Sequence, residues 1–281
     1  MALQSVAKVT RGIAKAWALA RPWPVTLREE GPAGVVVLRP LQRRDAHAWM
    51  LLRAQNADWL GPWEATPPRR ETGLLPTFGE YVRMLAAQGR KGQTLPFAVE
   101  LNGELVGQLT VSSITFGSLW GGSIGYWVSE HVAGRGVTPT GVAMAVDYCF
   151  SVIGLHRIEI NIRPENRPSL RVVEKLGFRD EGIRERYLNI GGVWADHRTF
   201  ALTAEEVPEG LLARWRAVQA GVRTAAVESA DSVGSADPGS RSVPAFTAVF
   251  RTNGTYNMND DAAGVSGGNQ AGTVRREASG S

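Results

Sequence analysis

The sequence predicts a mixed α/β fold in which one twisted sheet of about seven strands is flanked by helices. Apolar segments joined by Asn102-Gly103 and by Gly191-Gly192 have the pattern of β-hairpins, because such tight turns need residues that accept positive φ. Between these hairpins, strand patterns alternate with helix patterns, which adds parallel pairing to the antiparallel pairs. A composition of 43% hydrophobic and 21% charged residues is that of a globular protein.

The first predicted elements are a strand and two amphipathic helices. Val35–Leu38 is an apolar, largely β-branched run that ends before Pro40, which predicts a strand. Apolar residues at helical spacing predict a helix over 45–60, ended by Gly61-Pro62. The same spacing predicts a helix over 78–87, ended by Gly89.

The second half of the chain predicts the rest of the sheet and its covering helices. Predicted strands cover 96–101, 104–111, 123–128, 156–162, 182–190 and 193–202. Predicted helices cover 139–153, 169–176 and 208–220. The helix over 169–176 is closed by Gly177, a residue type favoured just after a helix end.

Composition and charge predict one folded domain over residues 30–220 between two extensions. The formal charge is +4, but residues 1–28 contain five basic and no acidic residues. Acidic and basic residues balance over 29–220, so no broad surface for nucleic acid is expected. Residues 1–29 are expected to form a flexible basic extension. Residues 221–281, rich in Ser, Gly, Ala, Asn and Thr, are expected to be disordered.

Several classes of protein and site are not expected. The single cysteine, Cys149, excludes a disulfide framework, and none of the four histidines has ligand spacing, so no metal is expected. No apolar run approaches the roughly 18 residues of a membrane span. Lys15 interrupts the apolar N-terminal stretch and Arg21-Pro22 follows it, unlike a secretory signal, so a cytoplasmic location is expected. Asp196-His197 lacks an accompanying nucleophile motif and is expected to be a surface pair.

An anion site is predicted at Gly134–Thr138, where a strand runs into a glycine-flanked turn and then a helix. The first amides of a helix have no internal acceptor and carry the positive end of its dipole, so they can hold an anion such as a diphosphate. Gly134 and Gly136 permit close approach of the backbone, Arg135 adds positive charge, and Thr138 offers a hydroxyl for capping. A tight turn without a ligand is the alternative interpretation of this segment by itself.

A second motif follows the next predicted strand. It reads Asn166-Arg-Pro-Ser169 and continues to Glu174-Lys-Leu-Gly-Phe178. The two segments together resemble the GCN5-related N-acetyltransferases (GNAT superfamily), whose loop reads Gln/Arg-x-x-Gly-x-Gly/Ala and whose next motif reads Asn-x-x-Ser…Glu-Lys-x-Gly-Phe. His131 stands where that family usually has Gln or Arg. The segments 61–64 and 180–188 look like the RimJ/RimL branch, which acetylates ribosomal-protein N-termini. The resemblance spans about 35–205.

The resemblance implies a fold and a co-substrate. Two neighbouring parallel strands, near 123–129 and 157–162, are expected to splay into a V that admits acetyl-CoA, and no metal is implied. Residues expected to bind the pantetheine arm through backbone or side chain are Trp127, Val128, Ser129 and Asn166. Residues expected to hold the diphosphate are Gly134, Arg135, Gly136, Val137 and Thr138.

The resemblance also implies direct attack of an amine on the thioester. Ser169 matches the family serine proposed as general acid for the leaving CoA thiolate, although a serine at a helix start is also a common cap. Related enzymes use a carboxylate as the general base, and it stands just before their Tyr-Leu. At that position this chain has Arg186. Glu185, one position earlier, is the candidate base, although on a strand it would face the other side. Candidate acceptor-binding residues, each with a purely structural alternative, are Trp63, Glu64 and Tyr187.

An N-terminal α-amine is the favoured acceptor. Its pKa of about 7.7–8.0 leaves far more neutral amine at pH 7 than that of lysine, about 10.4. The resemblance suggests a protein N-terminus, with ribosomal protein S5 as the example, and a monomer or homodimer. A small amine such as a polyamine or an aminoglycoside is the first alternative. A non-catalytic acyl-CoA-binding module is the second, because the family carboxylate before Tyr187 is missing.

Overall fold

The structure is a computed structural model that describes residues 22–68 and 76–231, with side chains described through residue 221. The strands are β1 (Leu27–Gly31), β2 (Gly34–Pro40), β3 (Leu95–Leu101), β4 (Glu104–Thr115), β5 (Gly121–Val128), β6 (Arg157–Ile162), β7 (Arg179–Ile190) and β8 (Val193–Thr203). The α-helices are α1 (Ala46–Gln55), α2 (Ala57–Leu60), α3 (Phe78–Arg90), α4 (Val137–Tyr148), α5 (Arg167–Leu176) and α6 (Leu211–Asp231).

The strands form one eight-stranded mixed sheet in the order β1-β2-β3-β4-β5-β6-β8-β7. Neighbours are antiparallel except β5 and β6, which are parallel. The predicted mixed α/β sheet is therefore confirmed, with one strand more than expected. That strand, β1, has the sequence Leu-Arg-Glu-Glu-Gly, whose charged residues hid it from a pattern based on apolar side chains.

The folded part begins before residue 30, contrary to the expected flexible extension over 1–29. β1 pairs with β2 from Leu27↔Leu38 to Gly31↔Gly34. Trp23 is buried and packs edge-on against Phe97, with ring centroids 5.2 Å apart. The rest of that predicted extension, residues 1–21, lies outside the described residues.

The predicted V-shaped splay lies between β5 and β6. These strands pair in parallel only from Gly121↔Arg157 to Ser123↔Glu159, although they continue to Val128 and Ile162. Beyond Ser123 and Glu159 the sheet is therefore open between two strands that each keep their other neighbour. An open wedge of this kind offers backbone groups to an extended ligand.

The two faces of the sheet carry separate apolar cores. The larger core lies under α4, α5 and α6 and includes Tyr126 of β5 and Phe200 of β8. The smaller core lies under α1 and α3 and includes Trp49 and Trp127. Trp127 and Tyr126 are neighbours on β5 and so point to opposite faces. The splay is thus bordered by a different set of helices on each side.

Three helices differ most from their predicted bounds. The helix predicted over 45–60 is interrupted at Asn56, between α1 and α2. The helix predicted over 139–153 begins at Val137 and passes into a π-helical turn at Cys149–Ile153. α6 extends to Asp231, so residues 221–231 are helical although they were expected in the disordered tail. The remainder of that tail, 232–281, lies outside the described residues.

Candidate functional site

The glycine turn after β5 has the backbone geometry of an anion-binding loop. Gly134 and Gly136 have φ of 76° and 87°, values that residues with a Cβ adopt at a cost. Gly136 immediately precedes α4, and no described side chain caps this helix start. Thr138, whose hydroxyl was predicted in the cap region, lies within the first turn. The uncapped amides of this turn remain available to a ligand.

The loop and the second motif line one pocket. The residues around it are Val132, Gly134, Gly136, Val137, Thr138 and Pro139 of the loop and helix start, with Arg171, Val172 and Lys175 of α5. Arg135, predicted with this group, lies in the same loop with an exposed side chain. Arg171 and Lys175 were missed by the sequence analysis. Their i,i+4 spacing places both on one face of α5, where their charges favour an anion.

A hydrogen-bonded chain from α6 holds the loop in place. The Thr140 hydroxyl donates to the Gly136 carbonyl at 2.9 Å. The indole N–H of Trp215 donates in turn to the Thr140 hydroxyl at 2.9 Å. Thr140 and Trp215 are both buried. α6 thereby holds Gly136, the residue that precedes α4, in place.

The end of β5, where the resemblance places the pantetheine arm, is partly engaged by the protein. The Ser129 amide donates to the Val106 carbonyl at 2.7 Å, so this amide is not open to a ligand. The Val128 carbonyl accepts from the Trp59 indole N–H at 3.1 Å and keeps a second acceptor position. Asn56 accepts from the Ser129 hydroxyl at 3.1 Å, which explains the interruption between α1 and α2. These hydrogen bonds hold the β5 side of the splay in place.

The start of α5 lies on the other side of the splay, after β6. Asn166 is the cap, because its side-chain oxygen accepts from the Ser169 amide at 3.1 Å. Ser169 is fully buried, and its hydroxyl has no hydrogen-bond partner among the described residues. The Tyr126 hydroxyl is also buried without such a partner. Burial raises the pKa of Tyr126, and the nearby Ser169 hydroxyl opposes this. The structure thus assigns the capping role to Asn166, and the Ser169 hydroxyl lies near that of Tyr126.

On the opposite face of the sheet, the segment after α2 packs against the β7–β8 hairpin. Ala65 forms an isolated bridge with Ile190, and the Thr66 amide donates to the Asn189 carbonyl at 2.9 Å. The Arg163 guanidinium lies 5.6 Å from the ring centroid of Trp63. The structure therefore brings Trp63 to the end of the splay, beside the loop that follows β6.

Glu64 lies in this segment after α2 and forms an ion pair with Arg53. The Arg53 guanidinium also lies 5.2 Å from the ring centroid of Trp127. A half-exposed carboxylate beside the splay can attract a cationic amine.

The residues of β7 that the sequence predicted for the site have different surroundings. Tyr187 is half-buried, and its hydroxyl accepts from Arg184 at 3.2 Å. Arg186 adopts φ of 46° at a register shift, and its amide donates to the Asp196 carboxylate at 2.7 Å. Glu185 is exposed on this edge strand, and within the described residues no hydrogen bond joins it to Tyr187 or Glu64. Tyr187 therefore packs into the face that also carries Trp63 and Glu64, whereas Glu185 is exposed to solvent.

His197 was expected in a surface pair with Asp196, and this expectation is wrong. Its ring is fully buried, and Nδ1 lies 2.9 Å from the Ala195 carbonyl. Nε2 has no hydrogen-bond partner among the described residues. Burial lowers the pKa of this imidazole. Adjacent strand residues point to opposite faces, which is why Asp196 is exposed while His197 is not.

A sheet opened between parallel strands, with a glycine-flanked helix start at the opening, is the architecture of acetyl-CoA-dependent acetyltransferases. The chain belongs to the acetyltransferase (GNAT) domain family, whose model matches residues 6–179. The resemblance to this family and to its RimJ/RimL branch is thereby confirmed, and the protein is an acetyl-CoA-dependent N-acetyltransferase. Within the part of the chain that the structure describes, no cluster of three potential ligand side chains could hold a metal ion.

Relatives and solved structures support the assignment over most of their own length. The probable N-acetyltransferase YjcK of Bacillus subtilis is 32% identical over 171 residues, 59% of this chain and 93% of that protein. The [ribosomal protein uS5]-alanine N-acetyltransferase of Escherichia coli is 29% identical over 178 residues, 62% of this chain and 91% of that protein. Mycobacterium smegmatis RimJ, solved in complex with CoA-disulfide, is 42% identical with a TM-score of 0.65, covering 70% of this chain and 95% of that one.

None of the helices within residues 22–68 and 76–231 combines the length and the apolar character needed to cross a bilayer.

Proposed function

We propose that this protein transfers acetyl from acetyl-CoA to the N-terminal α-amine of a protein, with ribosomal protein S5 as the acceptor. The observation that carries the proposal is the arrangement around the splay: a glycine turn suited to an anion and the buried Ser169 hydroxyl on one face, and Trp63, Glu64 and Tyr187 on the other, where we place the acceptor cleft. The names of the Escherichia coli relative and of the Mycobacterium smegmatis structure support a ribosomal-protein acceptor. Ribosomal proteins and acetyl-CoA meet in the cytoplasm, where we place the reaction.

The loop would hold the diphosphate of acetyl-CoA. The amides of Val137 and Thr138 bind oxygens, and Gly134 and Gly136 permit the approach. Arg171 and Lys175 supply charge from α5, together with Arg135 of the loop. The pantetheine arm follows β5 past Trp127 to the Val128 carbonyl, with Asn166 on the β6 side of the splay. This fit depends on the wedge between β5 and β6, which is wide enough to end their pairing at Ser123.

The chemistry needs positioning and two proton transfers. The acceptor nitrogen bonds to the thioester carbon, the carbon–sulfur bond breaks, and the electron pair goes to sulfur. The Ser169 hydroxyl is held beside the start of α5 and donates its proton to the departing thiolate. Trp63, Glu64 and Tyr187 line the cleft through which the amine arrives. Glu64 attracts the ammonium form of the amine. The proton that the nitrogen loses passes to water, and Ser169 regains its proton from water after the thiol leaves.

Release of CoA thiol from acetyl-CoA in the presence of matched acceptors tests the proposal. One peptide carries the S5 N-terminal sequence with a free α-amine, and a second has the same sequence with a blocked N-terminus and a free lysine. Spermidine and an aminoglycoside represent small amines. Turnover with the first peptide is expected. Turnover confined to the small amines would replace the acceptor class. Binding of acetyl-CoA without turnover of any acceptor would identify a non-catalytic module.

A further inference from the structure

The His197 imidazole lies on the cleft face of the sheet. Directly opposed residues of paired strands have side chains on the same face, and Asn161 of β6 is opposite Thr199 of β8. The Thr199 hydroxyl donates to the Asn161 side chain at 2.8 Å. His197 is two residues from Thr199 and so shares this face. Phe200 points the other way, into the core beneath α4 and α5.

The hydrogen bonding of the His197 imidazole determines which of its two nitrogens can accept a proton. The Ala195 carbonyl can only accept, so Nδ1, at 2.9 Å from it, carries the hydrogen. Nε2 then has a lone pair. This atom is buried and has no hydrogen-bond partner among the described residues. A buried acceptor left unpaired is destabilising, and a catalytic role is one explanation for its presence.

The groups around the ring place it at the wall of the acceptor cleft. The Tyr187 ring packs against it at 71°, with centroids 5.8 Å apart. Arg163, which stacks on Trp63, opposes protonation of the imidazole, whereas Asp196 and Glu165 favour it. Arg184 of β7 is its register partner across the strand pair. Burial outweighs these charges and lowers the pKa of His197, so the ring is neutral at pH 7.

We propose that His197 is the catalytic base that takes the proton of the acceptor amine, directly or through one water molecule. This inference rests on the proposed function and supplies the base that Arg186 replaced in the sequence motif. As nitrogen bonds to the thioester carbon, its proton passes to Nε2. After the products leave, water takes this proton from Nε2 and supplies Ser169 with the proton that it gave to the sulfur. The electron pair of the broken carbon–sulfur bond stays on sulfur, which Ser169 protonates from the opposite face. Tyr187 shields the imidazole, so the bound acceptor rather than bulk solvent brings the proton.

The test compares His197→Asn with a matched control. Asparagine keeps a donor for the Ala195 carbonyl and removes Nε2. His156→Asn is the control, because His156 is exposed and its Nε2 contacts Glu205 at 3.1 Å outside the cleft. At pH 7, kcat/KM for the peptide amine is expected to fall about 100-fold or more in His197→Asn and to stay unchanged in His156→Asn. Affinity for acetyl-CoA, measured by calorimetry, should be the same in all three proteins.

The pH profile separates a base from a structural residue. In the wild type, log(kcat/KM) is expected to fall with slope one below the pKa of the amine and with slope two below that of His197. In His197→Asn only slope one should remain. Added imidazoles should rescue His197→Ala more strongly as their basicity rises. Activity within threefold of the wild type, or a loss that keeps slope two and ignores the basicity of the rescuing agent, would overturn the role of His197. An inactive wild type that still binds acetyl-CoA would instead refute the proposed function, and the base with it.

Discussion

Replacement of Thr140 by valine tests how α6 holds the glycine turn before α4. The Thr140 hydroxyl donates to the Gly136 carbonyl and accepts from the Trp215 indole, each at 2.9 Å. Valine has nearly the same shape, so apolar packing changes little. The substitution removes both hydrogen bonds and leaves a buried indole N–H without an acceptor, since Trp215 is only 5% exposed.

The magnitude follows from these contacts. Loss of the bond to Gly136 costs about 1 kcal/mol, because that carbonyl keeps the Thr140 amide at 3.1 Å. The orphaned indole N–H costs about 1–3 kcal/mol more. The free energy of unfolding should therefore fall by about 3 kcal/mol, which lowers Tm by about 6–12 °C in a domain of roughly 200 residues.

Chemical denaturation of a double-mutant cycle measures this coupling. Trp215→Phe removes the donor that Thr140→Val would strand, so in the Trp215→Phe background the valine should cost only about 1 kcal/mol. The difference between the two backgrounds is the coupling free energy of Thr140 and Trp215. Two results would refute the Trp215 brace, the hydrogen bond by which Trp215 holds Thr140. In the first, Thr140→Val lowers the free energy of unfolding by less than about 0.5 kcal/mol in the wild type, and in the second it lowers it equally in both backgrounds.

Three other predictions concern the site itself. Ser169→Ala should lower single-turnover acetyl transfer about 10–100-fold, since one positioned acid is lost, while calorimetry shows unchanged CoA affinity; wild-type turnover would remove its role as acid. Changing Arg171 and Lys175 together to glutamine should weaken CoA binding by about tenfold, worth about 1.4 kcal/mol, and flatten its salt dependence; an unchanged Kd would place the diphosphate elsewhere. Because burial lowers the pKa of His197 in the folded state, the unfolded chain binds this proton first, so the free energy of unfolding should fall as pH drops below about 6.5. Urea titrations at several pH values should show a shallower fall in His197→Asn, and an identical pH dependence would contradict the assigned burial.

Much of the fold could be predicted because its signals are local in the chain. Asn102-Gly103 and Gly191-Gly192 adopt the positive φ that hairpin turns need, and both hairpins formed as expected. The long predicted helix over 45–60 failed at Asn56, because that side chain holds Ser129, 73 residues away. β1 escaped prediction because it is an edge strand with charged residues, and only its pairing with β2 identifies it.

The sequence by itself determined the two motifs that border the splay, since a glycine turn before one helix and an Asn-x-x-Ser start of the next are set by backbone geometry within a few residues. Tertiary structure alone decided what surrounds them. The Trp215 brace on Thr140, the approach of Arg171 to the loop and the burial of His197 depend on contacts between residues far apart in the chain. The protonation and hydrogen bonding of such groups follow from burial, which no local pattern of residues specifies.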